Sequence, residues 1–194
     1  MKKDDALALR ERLRALAAQQ APELADDGKL YHDEVDGTAR WAQRLSRPDA
    51  WPHLGPDGDR PACPGLRYEV WFFQGKAADE TVWLMALVDE AHGLEPLARH
   101  LAPTFKTLIE GGKYARRYQA LPALVTRFHP GTTGICRQVP VKKLDEAFKQ
   151  LLTDTIKPIA SAFSAWEGAP SASAAFAEAC ASFDPLAALK KRFG

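Results

Sequence analysis

Two short stretches near the middle of the chain do most to limit its fold. Residues 66–74 (LRYEVWFFQ) and 81–89 (TVWLMALVD) are dense in aromatic and β-branched side chains, which suit a pleated, half-buried surface. With a short polar stretch between them, they predict a β-hairpin. In the first arm Arg67 and Glu69 alternate with Tyr68 and Val70, so one face is partly wet at its start. The second arm is apolar on both faces from Val82 to Val88, which marks a central strand covered on both sides.

Helical spacing flanks this hairpin. Leu9, Leu13, Leu16 and Ala17 predict a first helix over 4–20, with Asp4 and Asp5 suited to its positive end and Arg10, Arg12 and Arg14 on the other side. A weaker pattern, Val35, Ala39, Ala42 and Leu45, predicts a second helix over 32–46. Proline and glycine crowd residues 47–65, which read as a long loop. A helix over 94–110 follows the hairpin, with Pro103 as a kink. Residues 123–128 and 132–139 predict a second hairpin turning at His129-Pro130-Gly131. The longest helix runs over 144–166, with Leu144, Phe148, Leu151, Leu152, Ile156 and Ile159 in its stripe and Pro158 as a bend. The resulting fold class is α+β: an antiparallel sheet of about four strands in two hairpins, packed with helices, including an N-terminal helix and a long C-terminal one. Residues 1–167 form the domain, and 168–194 an Ala/Ser-rich linker with a short helical tail.

Charge and cysteine content exclude several classes. There are 26 Lys plus Arg against 25 Asp plus Glu, so no global attraction draws the chain to nucleic acid or a membrane. The balance hides a dipole, because residues 1–105 carry 13 basic and 18 acidic groups while 106–149 carry 9 and 3. Cys63, Cys136 and Cys180 lie far apart with no CxxC frame, which argues against a zinc site or a disulfide framework and implies no cofactor or metal. The basic start is interrupted by acids and arginines, unlike a secretory leader, and no run is long enough to span a bilayer. A cytoplasmic protein without a membrane partner is the expectation. With 33 Ala and 14 Arg, the composition points to a GC-rich bacterial source.

Three groups of residues could carry function. The basic stretch Lys113, Tyr114, Arg116, Arg117 and Tyr118, with Arg127, Arg137, Lys142 and Lys143, could offer cations to phosphates and rings to bases. Asp89, Glu90 and His92 at the end of the central strand, with His129 in a turn, are the catalytic candidates, able in principle to hold a metal or move a proton. Their spacing fits no ligand motif. Phe183, Leu186, Leu189 and Phe193 give the tail an apolar side that could dock in a partner's groove. His32, Asp33, Glu34 and Asp36 read as the acidic start of a helix. Gly111-Gly112 and the 131–134 segment lack a phosphate-loop frame, and no serine sits in a nucleophile frame.

The absence of a catalytic frame favours a non-enzymatic binding protein: an accessory subunit, or an immunity or antitoxin-like partner of another macromolecule. The alternative is a nucleic-acid-binding protein using residues 113–143, with metal-dependent nuclease activity at Asp89, Glu90 and His92.

Overall fold

The predicted hairpin is present in the computed structural model, as β3 (Arg67–Phe73) and β4 (Thr81–Asp89) paired antiparallel with Trp71 opposite Trp83. The structure describes residues 2–46, 67–73, 81–89, 95–112, 114 and 116–167. The expected loop over 47–65, the Glu90 and His92 candidates, Lys113 and the tail with Phe183, Leu186, Leu189 and Phe193 lie outside the described residues.

Residues 32–46 are not a helix. They belong to a second hairpin, β1 (Ala25–Val35) and β2 (Thr38–Ser46), in which Asp33 faces Arg40. Asp36 and Gly37 form the two-residue connection, with φ of 50° and 73°. Two successive positive φ values define the tight turn whose twist matches that of its strands. The local Asp-Gly signal therefore outweighs the four-residue spacing that suggested a helix. A bulge near Gly28 interrupts β1, where the Gly28 N–H donates to Asp26 Oδ1 at 2.7 Å.

Residues 123–128 are also not a strand. Pro122 stands at the N-cap of α3 (Ala123–Phe128), where its missing N–H costs the helix no hydrogen bond. A short apolar run cannot by itself separate buried helix from strand. β6 (Thr132–Pro140) pairs instead with β4 along its whole length and with the two-residue β5 (Gln119–Ala120). The sheet therefore has six described strands rather than four, in the order β1-β2-β3-β4-β6-β5. Gly134 makes the β4–β6 approach possible. A Cβ there would fall on the Ala86 carbonyl oxygen and 2.7 Å from Leu87 Cα.

The helices match their expected spans closely: α1 is Lys3–Gln20, α2 is Glu95–Glu110 and α4 is Leu144–Glu167. Both α2 and α4 continue past their internal prolines. Together they cover one sheet face, burying Leu13, Leu101, Phe105, Phe148 and Leu151 against Val70, Phe72, Leu84 and Ala86. Arg10 is not on the outer side of α1 as its spacing suggested. It shares the buried stripe with Ala6, Leu13 and Ala17, and its guanidinium donates to Asp26 Oδ1 at 2.8 Å. His100 Nε2 donates to the Ala162 carbonyl at 2.9 Å and ties α2 to α4. The alternate residues of the strands point to a second, aromatic core: Trp71, Trp83, Met85, Leu87 and Cys136, packed with Val125 and Phe128 of α3. β4 is thus buried on both sides, as its composition required.

Candidate functional site

The second face carries the most concentrated polar chemistry of the described residues. Strand parity places Arg40 and Arg44 of β2 and Arg67, Glu69 and Trp71 of β3 on that side, and α3 delivers Phe128 and then His129 over them. Glu69 is fully buried. Its Oε1 accepts from Arg67 Nε at 2.6 Å and Arg44 Nε at 2.9 Å, while Oε2 accepts from Trp71 Nε1 at 2.6 Å. His129 Nε2 lies 3.2 Å from that Oε2. Arg40, equally buried, donates through Nη2 to Asp33 Oδ2 at 2.9 Å and approaches His129 Nε2 at 3.1 Å. Its guanidinium lies 3.7 Å from the Trp71 ring centre and 4.5 Å from that of Phe128. A planar, weakly hydrated cation between two aromatic faces is a favoured way to bury arginine.

Two titrations are displaced here. Burial pushes the Glu69 carboxyl up, but the charges of His129, Arg44 and Arg67 outweigh it and hold Glu69 well below the usual carboxylate range. Burial pushes His129 down; Glu69 opposes this, Arg67 and Arg40 add to it, and the net shift is downward. The cluster therefore holds a carboxylate beside a neutral imidazole at neutral pH. One nitrogen cannot accept from Arg40 and donate to Glu69 at once, so His129 Nε2 satisfies one neighbour at a time. Both groups lie within the aromatic core rather than at a surface where a substrate could meet them.

Of the catalytic candidates, Asp89 and His129 are among the described residues. Asp89 pairs through its backbone with Thr132, and His129 faces Glu69 and Arg40 instead. No group of three or more His, Cys, Asp or Glu side chains able to hold a metal occurs among the described residues. Burial pushes the Cys136 thiol up to about 12.

The basic stretch is spread over both sides of the sheet. Arg117 donates to Asp154 Oδ2 at 2.9 Å, and the Tyr118 hydroxyl donates to the same oxygen at 3.0 Å. Tyr118 is 5% exposed, and burial followed by Asp154 raises its pKa. Arg137 donates to Gln150 Oε1 of α4 at 2.7 Å, whereas Arg127 lies on α3 and bridges to Asp36 at 3.2 Å. Tyr114 is half-buried against the helical core, and Arg116, Lys142 and Lys143 are exposed. Arg116 has φ of 68°.

Around the buried cluster lies a rim of half-buried apolar side chains: Tyr31, Val35, Phe73, Leu121 and Leu124. Arg44, 25% exposed, sits over the Tyr31 ring at 4.0 Å. The sequence reading singled out His129 but missed the cluster around it. The local signal is the alternation of Arg67 and Glu69 with Tyr68 and Val70, while His129 joins from 60 residues further along. Compared with protein-family models, characterised proteins and solved structures, the chain matches none of them.

Proposed function

We propose that the chain is a non-enzymatic binding protein of the bacterial cytoplasm, an accessory subunit or an immunity or antitoxin-like partner, and that it meets another protein through the second face of its sheet. The observation that carries this reading is the rim of Tyr31, Val35, Phe73, Leu121 and Leu124 beside the Arg44–Tyr31 pair. Aromatic and arginine side chains over a rigid, buried base are the composition that concentrates binding energy in protein interfaces. The base is rigid because strands β2 and β3 fix Arg40, Glu69 and Trp71 in register. The bacterial part rests on the alanine- and arginine-rich composition.

The test is retention of a partner by the tagged chain in its native cells, compared with Leu124→Glu and Leu121→Glu. Both positions are partly exposed. A protein retained by the native chain and lost by both variants, each with unchanged thermal unfolding, supports the reading. Retention of nothing, or of the same protein by both variants, overturns it.

A further inference from the structure

We propose that His129 is a proton-operated latch that holds α3 on the second face of the sheet, and that acidification releases it. α3 is short, and Val125 and Phe128 fasten it to Trp71 and its neighbours. At its C-terminal end the His129 N–H donates to the Val125 carbonyl and the His129 carbonyl accepts from Thr132 Oγ1, so the ring is held where the helix gives way to β6. From there Nε2 reaches inward to two charged residues on two strands, Arg40 on β2 and Glu69 on β3.

The charges around the ring decide what a proton does. β1 contributes Asp33, β2 contributes Arg40 and Arg44, and β3 contributes Arg67 and Glu69. Three guanidiniums thus face two carboxylates. The Glu69 oxygens already accept from Arg44, Arg67 and Trp71. A second proton on the imidazole adds a cation 3.1 Å from the Arg40 guanidinium in a site with little water. With α3 released, the same proton is hydrated and free of that neighbour. The proton therefore binds the open form more tightly than the closed one, which is the condition for shifting the population between them. Opening uncovers the Trp71 and Phe128 rings.

Hydrogen exchange of single amides between pH 7.5 and 5 tests this. The expected result is that protection at Val125 and His129, whose amides bond to Pro122 and Val125 carbonyls, falls by up to about tenfold per pH unit below about 6.5. Amides of β4 keep theirs over the same range. In His129→Gln, which keeps a polar side chain without a titration in this range, the fall disappears. The NMR titration of the His129 ring in the native chain gives a second readout, and its midpoint is expected below about 6.5, where the fall in α3 protection levels off. Unchanged α3 protection, loss of β4 protection in step with α3, persistence of the fall in His129→Gln, or a ring midpoint at or above about 6.5 would each overturn the latch.

Discussion

Taking the Glu69 carboxylate away leaves Arg40, Arg44 and Arg67 without the anion they share in the second core. Removing one partner of a buried ion pair costs about 3–5 kcal/mol, because the remaining charge stays buried without compensation. Glu69→Ala is expected to lose that much in a urea titration followed by far-ultraviolet circular dichroism, and a loss below about 1 kcal/mol would sink the idea that the cluster is a structural keystone. The pH dependence follows from the same residues. His129 has a folded pKa below its ordinary 6.5, so its contribution is complete above 6.5 and falls as pH drops from there. Glu69 is likewise lowered from 4.5, so its contribution is present above 4.5 and is lost as pH falls further. Stability is expected to decline with acid in two stages, the first missing in His129→Gln; urea midpoints between pH 8 and 3.5 measure it. Of this site the sequence offered His129 as a single candidate and the alternation of Arg67 and Glu69 with Tyr68 and Val70. The distant His129 and the buried Arg40 enter through the pairing of separate elements, and no local pattern encodes that pairing.

Elements were legible where side-chain chemistry and period agree. β3 and β4 combine aromatic and β-branched content, and α4 carries its stripe through Leu144, Phe148, Leu151 and Ile159. Elements were misread where two periods coexist. Val35, Ala39, Ala42 and Leu45 match a helical face, yet Ala42 and Leu45 lie on opposite sheet faces of β2, in the two different cores. The turn residues Asp36 and Gly37 resolve that ambiguity, because their positive φ values fit a hairpin and not a helix interior. Packing between elements has its own weak point at Gly134, where an added methyl would collide with the β4 backbone. Gly134→Ala is expected to destabilise by at least about 1–3 kcal/mol through forced backbone shifts. Thermal unfolding checks this, and a variant as stable as the native chain would contradict the β4–β6 register.

Across the whole molecule, the acidic first half and basic middle neutralise each other only in part. Arg127 reaches Asp36 across that divide, while Arg117 is paired to Asp154 of α4. Of the nine basic-stretch residues, Arg116, Lys142 and Lys143 are the cations left exposed with no ion pair among the described residues. Binding of an oligonucleotide through these three cations is therefore expected to weaken with salt at a logarithmic slope no steeper than about −3, since each phosphate contact contributes about −0.9. A slope of about −6 or steeper from binding at 50–200 mM salt would restore the nucleic-acid reading. The strand order has a consequence in time as well as in space. β1 to β4 form a meander in which each strand pairs with its neighbour along the chain, whereas β6 must return past α2 and α3 to pair with β4. Contacts between distant residues form slowly, because the intervening chain loses its freedom before the pairing rewards it. Assembly of the meander is thus expected to precede docking of β6, and both cores, one needing Ile135 of β6 and the other Cys136, close only once that strand has returned.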